Sequence, residues 1–227
     1  MEGRSGGLAL LWKNVGDFNL SSLSKNHIDG VVSIEGREDW RLTGFYGEPN
    51  RRLRWNTWNL LRLLNHQSSL PWCIIGDMNN ITSQEDKKGG RRYPEWLIKG
   101  FCEVISECNL IDLDLLGNPF TWEKSRGTSS WVEIRLDRAL VTQRWLGCYS
   151  EATLSNIEIS TLDHSPIYLD IDKNKENSGC RRFRFENTWF REPMCRDIVL
   201  DCGESNSDLG YKQKIMRCQA KLGVWRK

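Results

Sequence analysis

The sequence lacks the features that define several protein classes. Its eight cysteines form no Cys-x-x-Cys pair, which argues against a structural zinc site. No apolar run approaches the roughly 20 residues that a transmembrane helix needs, and no internal repeat occurs. Because no secretory leader precedes the cysteines, we expect a reducing compartment and an intracellular protein, nuclear or cytoplasmic.

The chain also lacks a large charge of one sign. It has 32 Lys and Arg against 30 Asp and Glu, a net charge of +2. A nucleic-acid ligand would therefore have to bind a local basic patch. The hydrophobic content of 39% and the charged content of 27% over 227 residues are typical of one globular domain with an extension.

Apolar patterns predict a mixture of strands and helices. Strands are expected at 8–12, 28–34, 40–46, 72–75, 111–115, 120–123, 134–141, 152–159 and 167–171. Helices are expected at 51–65, 94–109 and 143–148. Because strands outnumber helices and the two longest helices lie between strands, we predict an α/β sandwich of two packed sheets with helices outside.

The composition changes after Asp172. We predict a domain over 1–172, a polar linker over 173–182 and a helical tail over 183–227, to which no chemistry can be assigned.

Three separated polar clusters lie next to strand-like runs. Gly-Asp-Met-Asn at 76–79 follows the apolar run 72–75, and Arg-Leu-Asp-Arg occupies 135–138. Leu-Asp-His-Ser-Pro at 162–166 precedes the last strand. Carboxylates at strand ends converge in space, so these clusters predict an acid–histidine site of the kind that hydrolyses phosphodiesters with a divalent metal.

Each of these residues also has a simpler interpretation. Asp77 could cap a turn, and Asp137 could pair with the arginines beside it. His164 could be a structural histidine, and Tyr46 an ordinary aromatic residue of a strand. The basic run 87–92 could be a solvated loop or a contact for the DNA backbone.

Five motifs in order carry a resemblance to a known family. They are GFYG at 44–47, GDMN at 76–79, GNPFTW at 117–122, RLDRAL at 135–140 and LDHSP at 162–166. The series resembles the endonuclease/exonuclease/phosphatase superfamily, and more narrowly the endonuclease of plant non-LTR (LINE-type) retrotransposons. The similarity runs from about residue 6 to 172, and RFRFENTW at 182–189 resembles the linker toward a reverse transcriptase.

The resemblance implies a four-layer α/β sandwich that cuts DNA with Mg²⁺ or Mn²⁺. By position, Asp77 would orient or activate the attacking water, while Asn79 and Tyr46 would hydrogen-bond the phosphate. Asp163 and His164 would form an acid–imidazole pair, in which Asp163 fixes the ring or helps to hold the metal.

Further roles follow from the same resemblance. Asp137 would support the cluster and join Asp163 as a metal ligand. The basic residues expected to contact DNA are Lys87, Lys88, Arg91 and Arg92. The protein would act as a monomer or as part of a polyprotein with a reverse transcriptase, away from membranes.

The chain also departs from the family pattern. The family begins with an Asn and a metal-binding Glu on strands upstream of the residues present here, and Glu2 does not replace that Glu. Leu162 stands where Ser is usual, and Ile134 where Glu is common. We therefore expect an N-terminally truncated domain with a partial site and weak or no activity.

Two alternative functions remain. The first is a non-catalytic relic that binds nucleic acid through basic residues, namely Arg51, Arg52, Lys87, Lys88, Arg91 and Arg92. The second is a phosphatase or lipid phosphodiesterase of the same fold, because a fold does not fix a substrate.

Overall fold

A computed structural model describes residues 7–157, 163–172, 189, 192–204 and 211–225. The chain divides into two compact units. The first contains Met1–Ile157 and Thr161–Asn174, and the second contains Glu158–Ser160 and Lys175–Lys227. The predicted linker at 173–182 lies outside the described residues, so the proposed domain boundaries stay a prediction.

Over its described residues, the first unit contains twelve strands and three α-helices. The strands are β1 (Phe18–Leu23), β2 (His27–Val32), β3 (Trp40–Tyr46), β4 (Trp72–Asp77), β5 (Lys87–Lys88), β6 (Leu110–Asp112), β7 (Leu115–Leu116), β8 (Trp122–Lys124), β9 (Val132–Ile134), β10 (Asp137–Thr142), β11 (Thr153–Asn156) and β12 (Ile167–Asp170). The helices are α1 (Arg54–Asn65), α2 (Glu95–Glu107) and α3 (Gln143–Cys148), with 3₁₀ turns at Arg51–Leu53 and Gln84–Asp86.

The strands form one large and two small sheets. The large sheet has the order β1-β2-β3-β4-β10-β6, and the small sheets are β12-β11-β7 and β5-β9-β8. Strands β3 and β4 are parallel, whereas the other pairs of the large sheet are antiparallel. The predicted α/β sandwich of mixed sheets flanked by helices is confirmed.

The large sheet buries both faces because its central strands are apolar on both sides. Ile74 and Leu140 pack with the buried residues of α1 and α2, such as Leu61 and Phe101. Their neighbours Cys73, Ala139 and Val141 pack instead with α3 and the sheet β12-β11-β7. Successive side chains of a strand point to opposite faces, so one run supplies two cores.

The two long helices have the predicted positions. In α1 the buried Trp58, Leu61 and Leu64 recur at three-residue spacing, which places them on one face. Pro94 directly precedes α2, at a position where its missing N–H costs no helical hydrogen bond. Buried residues of both helices belong to one apolar cluster with the large sheet, so α1 and α2 cover the same face of it.

Two predicted strands differ from the structure. Residues 8–12 form no strand, and Leu11 is 93% exposed, because the large sheet begins with β1, which pairs with β2. The strand predicted over 134–141 is interrupted at Arg135 and Leu136, where the chain passes from one sheet to another. The predicted flexible loop 81–92 contains the 3₁₀ turn at Gln84–Asp86 and the short strand β5.

The second unit contains two helices, α4 (Pro193–Glu204) and α5 (Tyr211–Trp225). Trp189, Cys195 and Leu222 form their small buried core. No helix of the described residues is both long and apolar enough to cross a membrane.

Candidate active site

Two of the three predicted acidic residues meet at one end of the large sheet. Asp77 is the last residue of β4 and Asp137 the first of β10, and the antiparallel register places them opposite each other. Tyr46 ends β3 and lies opposite Asp77 on the other side. The strand geometry therefore aligns a phenol and two carboxylates across three neighbouring strands.

Two glycines of the motifs permit this close approach. The Gly47 amide donates to the Asp77 carbonyl at 2.7 Å. A Cβ at Gly47 would lie 2.1 Å from the Met78 carbonyl oxygen, and one at Gly76 would lie 2.1 Å from that of Phe45. Gly76 also has a φ of +144°, which other residues rarely adopt. The motifs GFYG and GDMN thus contain glycine because two backbone segments touch there.

Asp77 and Asn79 form one hydrogen-bonded unit. The Asp77 carboxylate accepts hydrogen bonds from the Asn79 backbone N–H at 2.8 Å and from Asn79 Nδ2 at 2.8 Å. Asn79 Nδ2 also donates to the Gly47 carbonyl at 2.9 Å, so both amide hydrogens are engaged. Asp77 therefore caps this turn, as its simpler interpretation predicts. The turn lies at the same end of the large sheet as Asp137.

The acid pair changes the acidity of Asp77. Burial and the neighbouring Asp137 raise the pKa of the Asp77 carboxyl to about 6, against the weaker opposing effects of Asn79, His164 and Arg54. A carboxyl with this pKa exchanges its proton near neutrality.

His164 is held beside these carboxylates. Its Nδ1 lies 2.9 Å from Asp137 Oδ2. Its segment docks on β8, because the Glu123 N–H donates to the Asp163 carbonyl at 2.9 Å and His164 bridges to Trp122. The hydrogen bond to Asp137 raises the pKa of the imidazole, and its effect exceeds that of burial, which lowers it.

The partner of the imidazole differs from the prediction. We expected Asp163 to fix the ring, but Asp137 occupies that position, and the Asp163 side chain is exposed. The reason is the docking on β8, which uses the Asp163 backbone and directs the next side chain toward β10.

The interpretation of Asp137 as an ion pair with its neighbouring arginines is wrong. Arg138 is 0% exposed and pairs with Asp86 and Asp112. Arg135 pairs with Asp112 at 3.0 Å. Successive residues of β10 point to opposite faces, so Asp137 is left to His164.

Tyr46 belongs to the cluster by its surroundings. It is half-buried, and burial followed by the Asp77 charge raises the pKa of its hydroxyl, against a weaker opposing effect of the neighbouring Asn79 side chain. The hydroxyl is therefore a neutral donor near neutrality.

The predicted DNA-contacting residues lie on the segment after the turn Gln84–Asp86. Lys88 Nζ is 3.4 Å from a Glu133 carboxylate oxygen, and Arg92 is 3.2 Å from one of Glu95. Arg91 is exposed, and Lys87 donates to the Gly89 carbonyl. Two of the four cations are thus partly neutralised by surface carboxylates.

The acid cluster fits a divalent cation only in part. Within the described residues, no group of three or more His, Cys, Asp or Glu side chains is placed to hold a metal. Mg²⁺, however, commonly takes one or two carboxylates and completes its shell with water and substrate phosphate. Burial, followed by the charge of Asp137, raises the pKa of Asp77, and a cation bound beside the two carboxylates would oppose that rise.

Sequence reasoning missed three residues around the site. The Thr121 hydroxyl accepts the N–H groups of Leu136 at 3.0 Å and Asp137 at 2.9 Å. Its place in the motif GNPFTW was a signal. Arg54 and Tyr93 lie buried beside Asn79 and Asn80, and no spacing pattern pointed to them.

Comparisons with known proteins agree with the geometry. The Endonuclease/Exonuclease/phosphatase family model matches residues 1–158. A comparison with curated protein sequences found no match. The endonuclease domain of TRAS1, a telomere-specific non-LTR retrotransposon, is a similar solved structure, with 16% identity and a TM-score of 0.54 over 70% of this chain and 71% of that one.

Two further structures are less similar. They are a 3′ phosphatase, NExo, from Neisseria bound to a product DNA hairpin (14% identity, TM-score 0.48, 68% of this chain and 70% of that one) and a family protein from Leptotrichia buccalis (17% identity, TM-score 0.44, 63% and 53%). The family model covers well over half of the chain. The chain therefore belongs to the endonuclease/exonuclease/phosphatase family.

Proposed function

We propose that the protein hydrolyses phosphodiester bonds of DNA with Mg²⁺ or Mn²⁺, as a retrotransposon-type endonuclease. The observation that carries the proposal is the Asp137–His164 pair beside Asp77 at one sheet end. Family membership and the fold shared with the TRAS1 endonuclease domain support it.

Asp77 has the properties of a group that orients or deprotonates the attacking water. A general base works best when its pKa lies near the operating pH, and the pKa of Asp77 is raised to about 6. The two hydrogen bonds from Asn79 fix the carboxylate. Asn79 would donate to the phosphate only by exchanging one of these bonds, so its first role here is to orient Asp77.

His164 would act on the phosphate from the opposite side. Its Nδ1 faces Asp137, which leaves Nε2 for the substrate. Because Asp137 raises its pKa, the ring is more readily protonated and can donate to a phosphate oxygen on which charge develops. The Tyr46 hydroxyl would supply a second donor.

Asp137 is the carboxylate that would hold a divalent cation together with water and the substrate, whereas the side chain of the other predicted ligand, Asp163, is exposed. Such a cation supplies Lewis-acid stabilisation of the phosphate charge. Since the described residues provide few ligands, we expect weak metal affinity and slow turnover.

The experiment is nicking of a supercoiled plasmid with Mg²⁺ or Mn²⁺. Asp77→Ala and His164→Ala should each lower the rate by factors of roughly 10² to 10⁴, the usual effect of removing a positioned catalytic group. Arg126→Ala, which breaks an exposed ion pair with Glu123, is the control and should cut at the normal rate. Nicking retained in both site variants would refute the assignment.

A second candidate is a nucleic-acid-binding relic without catalysis. It is favoured by the sparse metal ligands in the described part of the chain, together with the basic residues at 87–92. A salt-dependent shift of DNA without cleavage would support it, and no binding at low salt would reject it. Small phosphomonoesters in the same assay would reveal a phosphatase.

A further inference from the structure

Two guanidinium groups flank one tyrosine beside the candidate active site, and the charge of one of them acts on a nearby lysine. The guanidinium carbon of Arg51 lies 5.2 Å from the centre of the Tyr93 ring, and that of Arg54 lies 5.6 Å from it. Lys87 is close enough to Arg51 for the Arg51 charge to contribute, after burial, to lowering the lysine's pKa. Arg51 lies in the 3₁₀ turn before α1, Arg54 is the first residue of α1 and Lys87 belongs to β5, so residues distant in sequence contribute to one region.

The charge of Arg54 is buried without a carboxylate partner. The residue is 5% exposed, and burial together with Arg51 lowers the pKa of its guanidinium to about 10. Its donors reach the Glu48 carbonyl at 3.2 Å, Asn80 Oδ1 at 3.4 Å and the Tyr93 hydroxyl. Within the described residues none of Arg51, Arg54 and Lys87 forms an ion pair, although a buried charge normally has one.

The cluster is connected directly to the candidate active site. The Tyr93 hydroxyl accepts from Arg54 and donates to the Asn79 carbonyl at 3.3 Å, and Asn79 binds the Asp77 carboxylate. The Arg54 charge acts against the rise in the pKa of Asp77. A ligand on these cations would therefore lie next to a phosphate held at Asp77.

We infer that Arg51, Arg54 and Lys87 form a second phosphate subsite that binds the phosphodiester adjacent to the one cleaved. The inference rests on the proposed function and names the part of the substrate that this surface takes. The Tyr93 ring and hydroxyl hold the two guanidinium groups in place.

The chemistry of the cluster selects a phosphate. Guanidinium groups match phosphate oxygens through paired N–H donors, and a phosphodiester keeps its charge at every physiological pH. Repulsion among three neighbouring cations costs free energy that an anion recovers on binding. The Arg54 Nη2 group has no hydrogen bond within the described residues and is available for such a ligand.

The test measures binding of a duplex oligonucleotide in EDTA, where cleavage cannot contribute. Arg51→Gln should weaken binding about tenfold at low salt, the effect of losing one charged hydrogen bond. It should also reduce the slope of log K against log salt by about one. Arg51 is exposed, so this substitution should leave the fold intact.

The matched control is Arg62→Gln. Arg62 lies on α1, the helix that follows the turn carrying Arg51, and it is neutralised by Glu107, so its loss removes the same formal charge away from the cluster and should leave affinity unchanged. Arg54→Lys keeps the charge but loses the paired donors, and it should weaken binding severalfold. Circular dichroism checks that the Arg54 variant is folded.

The outcomes separate the two proposals. An equal loss in Arg51→Gln and Arg52→Gln would overturn the subsite, because diffuse attraction does not distinguish two exposed arginines of one turn. So would unchanged affinity in Arg51→Gln. Selective loss at Arg51 with no nicking by the unaltered protein would leave the subsite standing and refute only the nuclease proposal.

Discussion

Arg138 and Arg54 are both buried guanidinium groups, but only Arg138 is paired with carboxylates. Arg138 contacts Asp86 and Asp112 on the inner side of β10. Arg54 contacts a carbonyl, an amide oxygen and a phenol. With Arg135, which also pairs with Asp112, the first cluster has two cations and two carboxylates and is neutral, whereas the second cluster is left positive.

The same contrast separates the acids. Asp86 and Asp112 each form an ion pair with Arg138. Asp77 and Asp137 instead lie opposite each other on neighbouring strands, and Asp137 contacts the imidazole of His164. Charge that the protein neutralises itself stabilises the fold, and charge that it leaves over is free for a ligand. Carboxylates and guanidinium groups that lack partners of opposite charge and lie near each other can bind a metal ion and the phosphates of a DNA strand.

The paired cluster should dominate stability. Arg138→Met removes the buried cation that pairs with two partly buried carboxylates, Asp86 and Asp112, and it should lower the free energy of unfolding by about 3–5 kcal/mol. Urea denaturation of the two proteins measures the difference. Arg62→Ala, in which an exposed pair is lost, should change it by less than about 1 kcal/mol. A similarly small loss for Arg138→Met would contradict the claim that the paired cluster around Arg138 stabilises the fold.

The close backbone contact should come next. Gly47→Ala places a Cβ against the Met78 carbonyl, so the turn bearing Asp77 and Asn79 must move. We expect a loss of up to about 3 kcal/mol in stability together with loss of nicking. Gly36→Ala also changes a glycine but meets no atom within 4 Å, although its φ of +78° costs some strain. Equal activity in Gly47→Ala and the unaltered protein would show that the turn tolerates displacement.

The unneutralised acid pair should make stability depend on pH. The pKa of Asp77 is raised from 3.8 to about 6, so the folded protein holds its proton more tightly than the unfolded chain. That stabilisation is complete below about pH 4 and is lost as the pH rises through about 6. Relative to Asp77→Asn, the unaltered protein in EDTA should lose on the order of 3 kcal/mol over this range.

Denaturation curves of both proteins at several pH values measure the loss. If the free energy of unfolding depended on pH in the same way for both proteins, the raised pKa of Asp77 would be contradicted. Added Mn²⁺ should reduce the pH dependence, since a cation at Asp137 favours the ionised form of its neighbour.

The surface cations should have the smallest effect. Arg92 pairs with Glu95 at 3.2 Å in full exposure to solvent, so Arg92→Ala should change stability by less than about 0.5 kcal/mol. It should weaken DNA binding less than Arg51→Gln does, in the same low-salt assay. A larger loss at Arg92 would place the main DNA contact on the basic loop rather than around Tyr93.

Much of the large sheet could be predicted because its strands are short apolar runs ended by glycine or polar residues. Residues 72–75 and 40–46 were recognised in this way, and the strand-end rule correctly gathered Asp77 and Asp137. The pattern failed at 8–12, where apolar residues have no neighbouring strand to pair with. Local composition does not reveal which segment obtains a partner.

The site was less predictable than the sheet. The assignment of His164 to Asp137 rather than Asp163 depends on docking across strand β8, which no sequence spacing contains. Arg54 is one of several arginines in the helical segment 51–65, and its burial follows from contact with Tyr93, which is distant in sequence. Charge balance is decided by three-dimensional neighbours, so the sequence alone could not show which arginine was unpaired.

The most direct test of unneutralised charge at the sheet end is Mn²⁺ binding measured by electron paramagnetic resonance with a short DNA duplex present. The account predicts that the unaltered protein takes up Mn²⁺, that Asp137→Asn does not, and that Asp112→Asn keeps the uptake if folded. Equal Mn²⁺ uptake by the unaltered protein and Asp137→Asn would contradict it.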